Sequence, residues 1–121
     1  MDEKMDKSGN VIVDLSFKFA LDAIDFAEML EQERKFVIGR QFLKSATSIG
    51  ANVREAQNAE SKTDFIHKIK IAAKEADETE YWLLLCKSSA SYPCKAELLD
   101  EVNVIQKILN KIIGTSKSQT P

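Results

Sequence analysis

Apolar positions recur along the chain at steps of three and four residues, the spacing of one face of an α-helix. Four segments carry this rhythm, and the breaks between them predict helices at about residues 14–32, 34–57, 61–89 and 95–113. Short connections between long helices favour antiparallel neighbours. We therefore predict that residues 1–121 form one all-α domain, an antiparallel up-down-up-down four-helix bundle.

Two residues mark where the predicted helices begin and end. Asp14 is expected to cap the first helix, because a carboxylate accepts hydrogen bonds from the unpaired backbone N–H groups there. Gly114 stands where a left-handed residue typically ends a helix, here the fourth. Residues 1–9 and 115–121 are expected to form flexible tails.

The third helix carries more apolar surface than one bundle core requires. Its core seam consists of Phe65, Ile69, Ala72, Ala76, Thr79, Leu83 and Cys86. A second stripe of the same spacing, offset by one position, consists of Ile71, Glu75, Glu78, Trp82 and Leu85. A helix that is apolar almost all round needs burial on more than one side. We interpret the second stripe as an interface between copies of the chain; the alternative is that Trp82 only covers the end of the bundle.

The second helix carries a stripe of short polar side chains beside its apolar face. This polar stripe consists of Gln41, Ser45, Ser48, Asn52 and Glu55. An ordinary solvated face is the simplest interpretation. Because short uncharged groups can be satisfied by hydrogen bonds at a close helix contact, we favour a partly buried stripe that fixes the helix register. Glu75 or Glu78 is the expected partner.

Composition and charge narrow the classes of function. Hydrophobic residues make up 44% and charged residues 30% of the 121 residues, with a formal net charge of −2. That balance argues against a strongly basic nucleic-acid-binding protein. No apolar run is long enough to cross a bilayer, and the polar start of the chain does not resemble a secretory signal. A cytoplasmic protein with reduced Cys86 and Cys94 is therefore expected.

Catalytic signatures do not emerge from the sequence. A di-iron site in a bundle uses Glu-x-x-His motifs, whereas this chain has a single histidine, His67. Cys86 and Cys94 lack the further ligands of a zinc site, and both lie too far along the chain from His67 for a nucleophile pair. No phosphate-binding loop is present. We expect no enzymatic activity, no metal, no cofactor and no small-molecule substrate.

Basic residues cluster where the second and third helices meet. They are Arg54, Lys62, Lys68, Lys70 and Lys74. Ordinary solvated helix faces explain them most simply. In a ring of subunits, however, such a basic pole would be repeated and could hold a nucleic-acid backbone.

Two segments resemble a known protein family. Residues 41–56 (QFLKSATSIGANVREA) and 64–83 (DFIHKIKIAAKEADETEYWL) are similar to the characteristic blocks of bacterial four-helix-bundle proteins related to those encoded in 23S rRNA intervening sequences. The resemblance implies an antiparallel bundle that assembles as a homopentamer, and it implies no established enzymatic activity. It also implies that some relatives bind nucleic acid through a basic surface. The matching positions are Ser45, Ser48, Asn52, Glu55, Glu75, Glu78 and Trp82.

These observations give two expectations for function. The leading one is a self-assembling cytoplasmic bundle that acts as an interaction scaffold. The alternative is an accessory protein that binds RNA or DNA through the basic pole of the oligomer.

Overall fold

The computed structural model describes residues 8–118 and the side chains of residues 8–116. Within that range the chain is all-helical and has no strand. Its four helices are α1 (Val11–Gln32), α2 (Phe36–Gln57), α3 (Lys62–Ser88) and α4 (Ala96–Ser118). The all-α prediction is thus confirmed. Most of the tail expected at residues 1–9, and residues 119–121 of the other tail, lie outside the described residues.

Helix α1 begins earlier than predicted, because Asn10 rather than Asp14 is its cap. Asn10 has extended backbone angles, and its side-chain oxygen accepts from the backbone N–H of Val13 at 3.4 Å. Asp14 lies in the first turn, where its carboxylate accepts from the backbone N–H and the hydroxyl of Ser8. Asparagine and aspartate cap helices about equally well, so residue type alone does not distinguish Asn10 from Asp14.

Helix α2 begins later than predicted, because Arg34 belongs to the connection. Arg34 has a φ of 64°, in the left-handed region, which is incompatible with a right-handed helix. The first helical residue is Phe36, and the Lys35 backbone N–H donates to the carbonyl of Leu30 at 2.8 Å. The connection from α1 to α2 is therefore a tight turn made without glycine.

Helix α4 continues through Gly114, so the predicted left-handed cap at that residue is wrong. Gly9, not Gly114, is the glycine with positive φ among the described residues. Residues 115–118, predicted to be part of a tail, are helical. Glycine adopts both the left-handed and the right-handed helical conformation. At Gly114 the helical backbone hydrogen bonding continues.

Each helix packs against two neighbours. Helix α2 lies between α1 and α3, and α4 lies between α3 and α1. At one end of the molecule Asn10 donates to Gln57 at 3.2 Å. At the other end the ammonium of Lys35, before α2, lies 5.0 Å from the ring centre of Tyr92, before α4. Each polar contact described below can therefore be assigned a position along the helices between these two ends.

The core is built from the large apolar side chains of all four helices. Phe26 of α1 meets Phe42 of α2 edge to face, with ring centres 5.4 Å apart. The other large apolar side chains that are fully buried include Phe19, Leu30, Ile49, Val53, Ile69, Leu98, Val102, Ile105 and Leu109. Burial of these side chains stabilises the fold, and it fixes which faces of α2 and α3 remain at the surface.

Candidate functional site

An exposed group of apolar side chains lies in the second half of α3. Tyr81 is 55% exposed, Leu84 42% and Leu85 36%, and Trp82 is half-buried. The rings of Tyr81 and Trp82 lie 5.4 Å apart. Large apolar side chains grouped at the surface are typical of an interaction site. We name the stripe Ile71, Glu75, Glu78, Trp82 and Leu85, together with Tyr81, the Trp82 surface.

A carboxylate inside this surface has a local role. The indole N–H of Trp82 donates to Glu78 Oε2 at 3.2 Å, one helical turn away. A tryptophan N–H needs an acceptor when it is removed from water, and Glu78 supplies that acceptor within the subunit. The spacing of four residues between Glu78 and Trp82 already indicated that their side chains could meet on one face of the helix.

The second carboxylate, Glu75, is half-buried. Burial raises the pKa of its carboxyl, and the nearby charge of Glu78 raises this pKa further, while Lys44 and Lys74 act in the opposite direction. Glu75 is therefore a partly desolvated acid that has basic neighbours on both α2 and α3.

The side chains of the polar stripe on α2 differ in their exposure to solvent. Ser45 is buried, Ser48 and Asn52 are half-buried, and Gln41 and Glu55 are exposed. The Asn52 side-chain amide donates to the backbone carbonyl of Ser48 at 2.9 Å, within its own helix.

Two residues of the polar stripe contact α3: Ser45 meets Thr79, and Glu55 meets Lys68, whereas Glu75 or Glu78 was the expected partner. Thr79 Oγ1 lies 2.8 Å from Ser45 Oγ and 2.7 Å from the backbone carbonyl oxygen of Glu75, and Ser45 Oγ donates to the carbonyl of Phe42. Thr79 was assigned to the apolar seam because of its position. As the one hydroxyl in that seam it needed a buried partner, which is the signal that could have identified the pair.

The structure brings the polar stripe and the Trp82 surface together on one side of the bundle. Roughly 15 Å along the helices from the Ser45–Thr79 pair, Lys68 forms an ion pair with Glu55 at 2.9 Å. In the opposite direction from the Ser45–Thr79 pair, Ile38 of α2 and Leu85 of α3 line the same apolar cleft. The two stripes, predicted separately, thus both lie along the boundary between α2 and α3.

Thr79→Val is expected to lower the free energy of unfolding by about 1 kcal/mol, because it removes a buried hydrogen bond while keeping the side-chain shape. Urea unfolding measures the loss. In a Ser45→Ala background the same change should cost less, since the contact with Ser45 is already gone and only the bond to the Glu75 carbonyl is lost. Equal losses in both backgrounds would show that the pair does not couple α2 to α3. Thr47→Val, which removes a bond within α2 only, is the matched control.

The predicted basic residues differ in what they contact within the subunit. Arg54 points toward α1, where its guanidinium lies 5.3 Å from the ring centre of Phe17. Lys68 is held by Glu55. Lys62 and Lys70 line a shallow groove together with His67, and Lys74 is exposed. Part of the predicted basic pole therefore takes part in packing within the subunit.

The described residues hold no group of three or more His, Cys, Asp or Glu side chains placed to bind a metal ion. Cys86 is buried and Cys94 is exposed, and they are not joined in a disulfide. Burial raises the pKa of the Cys86 thiol to about 11, so this thiol is a poor nucleophile at neutral pH. In residues 8–118, no helix has the length and apolar character required to span a membrane.

Two acidic residues, Asp22 of α1 and Glu101 of α4, lie side by side, away from the Trp82 surface. Burial raises the pKa of Glu101 to about 7, with a further contribution from the adjacent Asp22. Lys18 opposes this shift, with its Nζ 2.7 Å from Asp22 and 3.5 Å from Glu101. Since the folded pKa lies above the unfolded value, Glu101 stabilises the fold most at low pH, and this contribution is lost as pH rises through about 7.

Glu101→Gln is therefore expected to raise the free energy of unfolding at pH 8 by about 1 kcal/mol, a value already reduced for solvent screening. At pH 5 it should have little effect. Urea unfolding at the two pH values tests this, with the exposed Glu97→Gln as control. An equal effect of Glu101→Gln at both pH values would contradict the assignment.

Comparison with known protein families identifies the family of this chain. The family described as 23S rRNA-intervening sequence protein matches residues 9–111. The chain belongs to this family. The resemblance predicted from residues 41–56 and 64–83 is thereby confirmed, and it extends over all four helices.

A solved structure of a member of the S23 ribosomal protein family, from Bacteroides thetaiotaomicron VPI-5482, is similar to this chain and is described as a protein with unknown function. It shares 42% sequence identity and a TM-score of 0.82, and the match covers 87% of this chain and 96% of that chain. Among curated proteins none matches the chain.

Proposed function

We propose that this family member is a non-enzymatic, self-assembling protein that acts as an interaction scaffold. The subunit is an antiparallel up-down-up-down bundle in this proposal. The order of the contacts supports that topology, because Gly50 of α2 approaches Ser16 of α1, whereas Gly39 approaches Leu30. Residues later in α1 thus meet residues earlier in α2, as antiparallel helices require.

The Trp82 surface is the observation that carries the proposal. Tyr81, Trp82 and Leu85 form an apolar group that the subunit leaves partly open to solvent. Trp and Tyr are frequent anchors of protein interfaces. Covering this group with another copy would bury apolar area and so favour assembly. A homopentamer, the state implied by the family resemblance, is the proposed assembly, and the cytoplasm, where Cys86 and Cys94 would stay reduced, is the proposed compartment.

Trp82 is the only tryptophan of the chain, so its fluorescence tests the proposal at the residue concerned. In the assembly, Trp82 emission should be shifted to shorter wavelength and protected from acrylamide. Dilution until the subunits separate should remove both effects. Emission and quenching that stay constant over a thousandfold dilution, for a protein that sediments as a single subunit, would contradict self-assembly through this surface.

The alternative proposal is binding of RNA or DNA. The groove lined by Lys62, His67 and Lys70 favours it, because cations along a groove can follow a phosphate backbone. The uses of Lys68 and Arg54 within the subunit count against it. A phosphate-driven complex should weaken steeply with salt, and Lys62→Glu with Lys70→Glu should abolish it. No binding to structured RNA or to duplex DNA at low salt would exclude this alternative.

A further inference from the structure

A second exposed apolar region lies on a different side of the bundle, between α1 and α2. Phe36 is 41% exposed and Ile24 is 40% exposed, and they line a groove of about 230 Å³ together with Ala27, Gly39 and Leu43. We name these residues the Phe36 groove. It is not part of the Trp82 surface, and neither the core nor the polar stripe accounts for it.

The α2 edge of the groove complements the acidic residues of the Trp82 surface. That edge carries Lys35 and Arg40, whereas the α1 edge carries Glu28 and Glu31. The Trp82 surface carries Glu75 and Glu78 within its apolar side chains. Opposite charges at the edges of two apolar patches favour their association and fix its orientation.

Pairing of two Trp82 surfaces with each other is disfavoured by the same charges. In a two-fold contact the same patch meets itself, so the carboxylates of Glu75 and Glu78 would face those of the second copy. Like charges brought together at an interface disfavour the association. A contact between two different patches avoids that cost.

The positions of the two patches on the bundle also suit such a contact. Both adjoin α2, the groove on its α1 side and the Trp82 surface on its α3 side. Neighbouring sides of a four-helix bundle face directions about 90° apart. A closed ring requires about 90° between the two contacts of each subunit for four subunits, and about 108° for five. Patches on opposite sides would instead produce an open filament.

We propose that the Phe36 groove receives the Trp82 surface of the next copy of the chain. This inference rests on the proposed self-assembly and adds its second half: a head-to-tail contact in which Trp82, Tyr81 and Leu85 of one subunit enter the groove beside Phe36 and Ile24 of the other. Every subunit uses both patches, and α2 lies between them, facing the ring axis.

Mixing two disabled variants tests the pairing. Leu85→Glu disables the Trp82 surface and leaves the groove intact. Phe36→Glu disables the groove, and glutamate is tolerated at a helix N-terminus, so folding should be preserved. Each variant alone is expected to be a monomer by light scattering. Mixed in equal amounts, they should form a one-to-one pair, because one intact groove meets one intact Trp82 surface, and they should not extend to a ring.

Three results distinguish the possible failures. A parent protein that is a monomer overturns the proposed self-assembly and this pairing with it. An assembled parent whose Phe36→Glu variant keeps the parental mass overturns the pairing alone, and so does a mixture of folded variants that stays monomeric. Arg40→Glu and Glu78→Lys, both at exposed charges, form a second pair for which the same results are expected. Val104→Glu, at an exposed valine of α4, should keep the parental mass.

Discussion

Gly50→Leu is expected to lower the free energy of unfolding by about 3 kcal/mol, the largest loss we predict for a single substitution at a helix contact. A Cβ atom at Gly50 would already lie 3.4 Å from the backbone carbonyl oxygen of Ser16 and 3.6 Å from its hydroxyl. The rest of a leucine side chain has no space there, and the backbone of α1 cannot rotate aside as a side chain can. Helices α1 and α2 would have to separate, which would also disturb the Phe26–Phe42 contact.

Urea unfolding followed by circular dichroism measures this loss. Gly114→Leu is the matched control, because nothing lies within 4 Å of a Cβ atom at Gly114. There the same substitution should be neutral or slightly stabilising, since leucine favours a helix over glycine by roughly 0.5–1 kcal/mol. Similar losses at both positions would show that the close approach of α1 and α2 at Gly50 is not what the substitution disturbs.

Trp82→Ala is expected to weaken self-assembly by at least 2 kcal/mol for each contact, which corresponds to roughly a thirtyfold rise in the dissociation constant. Truncation removes the aromatic anchor and leaves Glu78 without the indole N–H that it accepts. Analytical ultracentrifugation over a concentration series gives the dissociation constant. The circular dichroism spectrum should remain that of a helical protein, because the core side chains are unchanged.

Val104→Ala provides the control for Trp82→Ala. Val104 is 47% exposed on α4, outside both the Trp82 surface and the Phe36 groove. Its truncation should leave the dissociation constant unchanged. If Trp82→Ala assembles as tightly as the parent, Trp82 only covers the end of the bundle, the alternative that the sequence left open.

The spacing of apolar residues was sufficient to predict the number of helices and most of the core, because burial of one face imposes a period that the sequence must carry. Helix ends were predicted less well. Asp14 was predicted as the cap, whereas Asn10 is a residue type that caps about equally well, and burial of Ile12 and Val13 favours the earlier start. Arg34 shows no sequence preference for a left-handed conformation, which the short connection imposes.

The candidate surface was predicted in pieces but not as a whole. The spacing of residues identified the polar stripe and the Trp82 surface separately, whereas their adjacency depends on how α2 and α3 are rotated about their axes. The Ser45–Thr79 bond reports that rotation. The Phe36 groove was not predicted, because Ile24 belongs to a wide apolar face whose edge and centre look alike in sequence.

The mass of the unmodified protein in solution tests the central claim most directly. Light scattering coupled to size exclusion, at micromolar concentration and at both low and high salt, should give an integral multiple of the 13.6 kDa chain mass, with five copies as the proposed number. The mass should not fall as salt rises, since apolar burial dominates the contact. A mass of 13.6 kDa at every concentration would contradict the account.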